Sequence, residues 1–166
     1  MRTLVVYGTK TGCTEGIAEH IGDRLAAAGA TVDVVPAERA GDPSDYDAVV
    51  VGSGVRAGQW HGPVRKWVSD NAAALRDRPV AFFTCGLTLA SDPTKTAEVR
   101  AYTDALTEST GVTPVDIGTF AGWNEPTKFP LVERTLMKMM KAPQGDFRDF
   151  AAVDAWADEV APRLGA

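Results

Sequence analysis

Three threonines lie within six positions near the start of the chain, in a segment that could bind an anion. The segment consists of Thr9, Lys10, Thr11, Gly12, Cys13 and Thr14. Threonine hydroxyls donate hydrogen bonds to phosphate oxygens, and a glycine allows the backbone to approach a ligand closely. Free N–H groups at the start of the following helix would point into the same turn. The spacing predicts a phosphate-binding loop; the alternative is an ordinary strand-to-helix turn with Thr14 as the N-cap.

The elements on either side of this loop follow from the hydrophobic pattern. Leu4–Tyr7 is an unbroken apolar run, which predicts a strand buried on both faces. Between Glu15 and Ala28 the apolar residues recur at helical spacing and form one stripe. The sequence lacks both the Gly-Lys-Ser/Thr ending of a nucleotide P-loop and the Gly-x-Gly-x-x-Gly dinucleotide fingerprint. The loop is therefore expected to bind one terminal phosphate rather than a pyrophosphate.

The rest of the chain alternates strands with helices. Further strands are predicted at residues 31–35, 48–52, 79–84 and 113–120, and further helices at 63–75, 94–109 and 152–164. Gly29 and Gly111 are expected to end two of the helices, and Thr94 or Thr96 to cap the start of another. This alternation predicts an α/β fold in one domain, residues 1–166. Its core would be a doubly wound parallel sheet of five strands in the order 2-1-3-4-5, with helices on both faces.

In such sheets, ligands bind beyond the carboxyl ends of the strands where the winding direction reverses. This rule selects three loops, after the first, third and fourth strands. Besides the first loop, the candidate site residues are Ser53, Gly54, Val55, Arg56, Ala57, Gly58 and Trp60 in the second loop, and Cys85, Gly86 and Leu87 in the third. We expect Gly54 and Gly58 to let the backbone approach a flat ligand.

Composition and charge exclude several classes of function. The net charge of −5 argues against a nucleic-acid-binding protein that neutralises phosphates. No apolar run approaches the ~20 residues that span a bilayer, and the short run after Arg2 does not resemble an export signal. Two cysteines and two histidines, widely spaced, do not form a metal-site pattern. The sequence therefore predicts a cytoplasmic protein without a transmembrane segment, with reduced cysteines and no metal.

An additional amphipathic helix is predicted near residues 130–141, between the fifth strand and the last helix. Its apolar face would contain Leu131, Val132, Thr135, Leu136, Met139 and Met140. One interpretation is that this face packs on the domain. The other is that a methionine-rich surface with a basic rim contacts a membrane interface or an apolar ligand.

The pattern Thr-x-Thr-Gly-x-Thr after the first strand resembles the phosphate loop of flavodoxins. Thr9, Thr11, Gly12 and Thr14 match it. The resemblance implies a flavodoxin-like fold with FMN as the cofactor. In that family an aromatic residue of the second loop commonly stacks on the flavin ring; here Arg56 takes the usual place and Trp60 is the nearest candidate. The alternative for Trp60 is packing over the following helix.

The whole chain resembles a narrower group, the flavodoxin-fold menaquinone-dependent protoporphyrinogen dehydrogenases. Arg56, Gly58, Trp60 and His61 match its Arg-x-Gly-x-aromatic-His pattern, and the segment 136–140 matches its Leu-Met-Lys-Met-Met helix. The resemblance implies transfer of electrons from a porphyrinogen through FMN to a quinone, with peripheral contact at the membrane. The third loop departs from that group, because it lacks the basic insertion that the group often has.

Two functional classes remain open at this stage. One is an FMN-dependent oxidoreductase, favoured by the Arg56–His61 pattern and the methionine-rich helix. The other is a flavodoxin-like electron-transfer protein that relays single electrons from a reductase, favoured by the acidic charge balance. For the enzyme, Arg56 would lie near the N1–C2=O edge of the ring and stabilise its anionic reduced form; the alternative is that Arg56 pairs with a surface carboxylate. His61 is interpreted as a capping or surface residue, with a proton donor as the alternative, and Cys13 as contributing only its backbone N–H.

Overall fold

The computed structural model describes residues 1–139 and 142–166. The strands are β1 (Arg2–Gly8), β2 (Thr31–Pro36), β3 (Ala48–Arg56), β4 (Gln59–Trp60), β5 (Val80–Gly86), β6 (Asp116–Ala121), β7 (Trp123–Asn124) and β8 (Gly145–Asp146). The α-helices are α1 (Cys13–Ala27), α2 (Gly62–Asp70), α3 (Ala72–Arg76), α4 (Leu87–Ser91), α5 (Thr96–Thr110), α6 (Leu131–Met139) and α7 (Phe150–Leu164). Three short 3₁₀ turns start at Pro43, Pro93 and Pro126.

Five parallel strands form the central sheet in the order β2-β1-β3-β5-β6. This is the predicted doubly wound arrangement. The sheet also carries a short antiparallel strand, β4, which pairs with the end of β3. A separate two-stranded sheet, β7 with β8, lies in the connection between β6 and α7. The sequence analysis predicted neither of these small additions.

The central strand β1 contributes side chains to both apolar cores because successive residues of a strand point to opposite faces. Val5 and Tyr7 belong to the core beneath α1 and α7. Leu4 and Val6 belong to the core beneath α2, α3 and α5. Helices therefore cover both faces of the sheet, which is why the central strands show no alternation of apolar and polar residues.

Two helix boundaries differ from the predictions. The helix predicted at 63–75 is broken at Asn71, whose side-chain amide donates to the carbonyl of Trp67 over 2.8 Å beside its own backbone N–H. Neither Thr94 nor Thr96 is an N-cap: Thr96 is already the first residue of α5, and Lys95 occupies the cap position. Asp92 instead caps the preceding 3₁₀ turn through the N–H of Thr94.

The additional helix near 130–141 is observed as α6, over Leu131–Met139, and positions 140–141 lie outside the described residues. Its apolar side chains are exposed: Leu131 at 77%, Val132 at 82%, Leu136 at 56% and Met139 at 77%. The interpretation that this face packs on the domain is therefore wrong. No helix in residues 1–139 and 142–166 is long and apolar enough to cross a membrane.

Candidate flavin site

The first loop is a tight turn that ends at an uncapped helix. Thr9 Oγ1 accepts a hydrogen bond of 2.9 Å from the N–H of Gly12, which closes the turn. Gly12 has a φ of 87°, a left-handed conformation that favours glycine, and it occupies the N-cap position of α1. No side chain among the described residues caps this helix. Its first N–H groups are therefore available to an anion, and the alternative that Thr14 is the cap is wrong.

Thr14 lies inside the first turn of α1, and its hydroxyl is fully buried. Its Oγ1 makes no hydrogen bond to the part of the chain that the structure describes. A Cβ atom on Gly54 would lie 3.1 Å from this oxygen, so the glycine permits the close approach of β3 to the loop. Burying a hydroxyl without a partner is unfavourable, and a bound phosphate oxygen would supply that partner.

A residue from the far end of the sheet supports the same loop. Trp123 donates from its indole Nε1 to Thr11 Oγ1 over 3.1 Å, and its ring lies 3.5 Å from the position of a Cβ on Gly12. The guanidinium of Arg148 stacks on the Trp123 ring at 4.3 Å and forms an ion pair with Asp146. Sequence analysis assigned no role to Trp123 or Arg148. The contact joins positions more than a hundred residues apart, and no local pattern indicates it.

Most of the predicted second loop is strand, and it forms a hairpin with a two-residue turn. Arg56 pairs with Gln59, and the two residues between them, Ala57 and Gly58, have φ values of 49° and 72°. Positive φ at both positions is typical of a type I′ turn, whose twist matches that of the flanking strands. Gly58 therefore serves the turn, and the residues predicted as the second loop are mostly strand and hairpin. Ser53, in the strand, accepts from the N–H of His61 over 2.8 Å.

Trp60 does not lie where a ring-stacking residue would be needed. It is only 3% exposed and packs edge-on against Phe82, with ring centroids 5.4 Å apart. It belongs to the core beneath α2, on the other side of the sheet from Cys13 and Cys85. Its position does not support stacking on a flavin and agrees with the alternative that it packs over the following helix. His61 occupies the N-cap position of α2, with no side-chain cap bond.

The third loop meets the first through its cysteine. Cys85 is the penultimate residue of β5, and its sulfur lies 3.0 Å from the sulfur of Cys13. Gly86 follows, and its carbonyl accepts from the N–H of Gly122 over 2.8 Å. Leu87 starts the short helix α4 and is half-buried. The third loop therefore contacts the end of β6 through Gly122 and the start of α1 through Cys13.

A carboxylate on α6 connects the first two loops. Glu133 accepts from Lys10 over 2.9 Å through one oxygen and from Arg56 through the other. The Arg56 guanidinium also lies 5.7 Å above the ring of Phe129, which precedes α6. These two cations, with Arg56 contributing most, hold the pKa of the Glu133 carboxyl below its usual value. Arg56 is thus engaged with a carboxylate at the mouth of the site rather than free.

The geometry brings together the residues of the first loop, the end of β3 and the start of the third loop. The family model described as "Flavodoxin domain" matches residues 4–150. The chain belongs to the flavodoxin domain family. Membership of this family, on this fold, implies a flavin-binding site.

Two relatives match nearly the whole chain. The protoporphyrinogen IX dehydrogenase [quinone] of Escherichia coli strain K12 is 26% identical over 172 residues, covering 97% of this chain and 95% of that protein. The protein of the same name from Leishmania major is 27% identical, covering 96% of this chain and 74% of its own length.

Solved structures show the same fold. A flavodoxin from the domain Archaea superposes with a TM-score of 0.63 at 18% identity and covers all of both chains. Oxidised flavodoxin 1 from Bacillus cereus superposes with a TM-score of 0.64 at 14% identity and covers 99% of each chain. At these identities the likeness establishes the fold alone.

Proposed function

We propose that this protein is an FMN-dependent oxidoreductase of the protoporphyrinogen dehydrogenase type, which passes electrons from a porphyrinogen to a quinone. The observation that carries the proposal is the full-length similarity to the Escherichia coli enzyme, which covers 95% of that protein. The structural match to flavodoxins supports the fold but not the reaction. We place the protein in the cytoplasm, in peripheral contact with the membrane.

Binding of FMN is supported by the chemistry of the first loop. The N–H groups at the start of α1, the buried Thr14 hydroxyl and the Thr11 hydroxyl would all donate to one terminal phosphate. Thr11 Oγ1 accepts from Trp123, so its own proton is free to be donated to the ligand. When bound, FMN would supply the redox chemistry, while the chain holds and orients it.

The remaining polar groups would set the charge around the ring edge. Arg56 brings a cation to the end of β3, and Glu133 partly neutralises it while also pairing with Lys10 of the phosphate loop. The ends of β3 and β5 would contribute backbone groups, since Gly54 pairs with Cys85 in the sheet. Ser53 would act indirectly, because its side chain bonds His61 and the carbonyl of Gly54.

The exposed face of α6 is the proposed route to the quinone. Leu131, Val132, Leu136 and Met139 present apolar surface, and Glu133 on the same helix connects to both flavin loops. A quinone in a membrane is apolar, so contact of this face with the bilayer would bring the acceptor close to the site.

A flavodoxin-like carrier of single electrons is the second candidate. One observation favours it: the Glu133 carboxylate pairs with Arg56 and so weakens the positive charge that would stabilise an anionic two-electron-reduced ring. The potentials of variants at these two positions, described in the Discussion, separate the candidates.

The test of the cofactor assignment is a titration of the flavin-free protein with FMN, FAD and riboflavin. FMN should bind most tightly, and Thr14→Val should weaken FMN binding by about one to two powers of ten, because a hydrogen bond to a charged group is worth about 1.5–3 kcal/mol. The matched control is Thr103→Val, which removes another fully buried hydroxyl without a partner among the described residues, on α5. Equal affinity for FMN and riboflavin would contradict the phosphate-loop assignment.

A further inference from the structure

The two cysteines of the chain meet beside the first loop, although they are 72 residues apart. Cys13 is the first residue of α1, and Cys85 lies at the end of β5. Both are free thiols with their sulfurs 3.0 Å apart, and both are buried, at 7% and 3% exposure. A Cβ on Gly122 would lie 3.1 and 3.2 Å from the two sulfurs, so this glycine leaves just enough room for the pair.

The surroundings make the two sulfurs chemically different. The pKa of Cys13 is lowered because the Cys85 thiol donates to it, the N–H of Trp123 donates to it over 3.2 Å, and Arg148 is nearby. The start of α1 acts in the same direction. The pKa of Cys85 is raised well above its usual value by its bond to Cys13 and by burial. Cys13 is therefore the more acidic of the two thiols and the better nucleophile, and Cys85 holds its proton more tightly.

We propose that Cys13 and Cys85 form a redox-active dithiol, which a hydroperoxide such as hydrogen peroxide oxidises to an intramolecular disulfide. The Cys13 thiolate attacks one peroxide oxygen, the O–O bond breaks, and the released hydroxide takes a proton from solvent to become water. The sulfur of Cys85 then attacks the Cys13 sulfenic acid, forming the S–S bond; the S–O bond breaks, and a second water leaves with the Cys85 proton.

In sum, two thiols lose two electrons and two protons, and one peroxide becomes two waters. The reaction is independent of the flavin chemistry proposed above, and a dithiol reductant reverses it by thiol–disulfide exchange. A disulfide here would tie the first turn of α1 to the end of β5, directly beneath the first loop. The site is thus a modification site of the loop that holds the proposed phosphate.

The first test treats the purified full-length chain with hydrogen peroxide, blocks residual thiols and digests it with trypsin without reduction. We expect loss of both thiols, a cross-linked pair of peptides spanning residues 11–24 and 77–95, and recovery of both thiols with dithiothreitol. Retention of both thiols, or disulfides only between separate chains, would overturn the proposal. This measurement uses the wild-type protein and does not depend on how any variant folds.

The second test assigns the roles. In Cys85→Ser, hydrogen peroxide should convert Cys13 to a sulfenic acid that dimedone captures, because the partner that resolves it is gone. In Cys13→Ser, the remaining thiol should react at least about tenfold more slowly, because the pKa of Cys85 is raised and less of it is present as the reactive thiolate. Equal rates of thiol loss in the two variants would overturn the assignment of Cys13 as the nucleophile.

Discussion

The indole Nε1 of Trp123 donates a 3.1 Å hydrogen bond to Thr11 Oγ1, joining the connection after β6 to the first loop. This bond fixes the orientation of a hydroxyl that would donate to a phosphate. It also places the Trp123 ring against the left-handed Gly12, the N-cap residue of α1. The segment between β6 and α7 is therefore a structural part of the proposed flavin site.

Trp123→Phe should weaken FMN binding about three- to tenfold, because it retains most of the ring contact and loses a hydrogen bond worth roughly 0.5–1.5 kcal/mol. Quenching of flavin fluorescence measures the affinity. Trp156→Phe is the matched control, because the Trp156 indole N–H is buried and has no hydrogen-bond partner among the described residues. An equal loss of affinity in the control would mean that the effect of Trp123 is a general effect of packing.

Arg56 and Glu133 should shift the flavin potential in opposite directions. Arg56→Ala removes a cation, so the two-electron potential should fall by some tens of millivolts, where 30 mV corresponds to about 1.4 kcal/mol. Glu133→Gln removes the carboxylate that neutralises Arg56, so the potential should rise by a similar or smaller amount. Asp70→Asn, in an exposed ion pair on α2, is the control.

Spectroelectrochemical titration of the flavin-loaded proteins measures these potentials. A shift of the same sign in Arg56→Ala and Glu133→Gln would contradict the ion-pair account. No shift in either variant would favour the carrier, since the ring would then not sense Arg56.

The phenol of Tyr7 should lose its proton at a higher pH than an ordinary tyrosine does. Burial, together with its 2.5 Å bond to Glu15, raises its pKa to about 12 from the usual value of about 10. The folded state therefore binds the phenolic proton more tightly than the unfolded state does. The resulting stability is fully present below pH ~10 and is lost as the pH rises through about 12.

Absorbance of tyrosinate checks this, with the difference between wild type and Tyr7→Phe isolating the single residue. The variant should also lose less unfolding free energy than wild type between those pH values. A component titrating near the usual value and removed by Tyr7→Phe would show that the bond to Glu15 is absent in solution.

Replacing two exposed leucines of α6 should abolish membrane contact without unfolding the protein. Leu131→Ser with Leu136→Ser removes side chains that are 77% and 56% exposed, so little core packing is lost. Each leucine buried in a bilayer interface is worth up to about 1.5–3 kcal/mol, so binding to vesicles should fall by at least tenfold. Val115→Ser removes an exposed apolar residue elsewhere and is the control. Unchanged co-sedimentation with vesicles of phosphatidylethanolamine and phosphatidylglycerol would refute this role for α6.

The sequence predicts the elements that have strong periodicity and fails where the decisive contact is remote. The apolar run at Leu4–Tyr7 and the stripe that starts at Ile17 anticipate β1 and α1, because burial alone accounts for both patterns. For Trp60 the sequence leaves two positions open, because an aromatic residue after glycines suits either stacking on a ligand or packing in the core. The structure shows a hairpin that turns it inward.

The contacts of Glu133 could not be predicted from sequence. Lys10 and Arg56 are 123 and 77 residues away from it along the chain, and a glutamate on an amphipathic helix is ordinarily a solvated residue. The same applies to the two cysteines, whose spacing in the sequence suggests no relation. They meet because β1 and β5 both flank β3 in the sheet, which brings the start of α1 close to the end of β5. Contacts of this kind depend on how distant loops and helices meet in three dimensions, which local sequence patterns do not specify.

The central claim, electron transfer from a porphyrinogen to a quinone, is tested most directly by anaerobic turnover of the FMN-loaded protein with protoporphyrinogen IX and a soluble menaquinone analogue. We expect porphyrin fluorescence to appear together with one reduced quinone for each electron pair removed from the porphyrinogen. Formation of both products should require FMN. Absence of porphyrin formation by a protein that binds FMN stoichiometrically, and whose flavin the quinone can reoxidise, would contradict the proposed function.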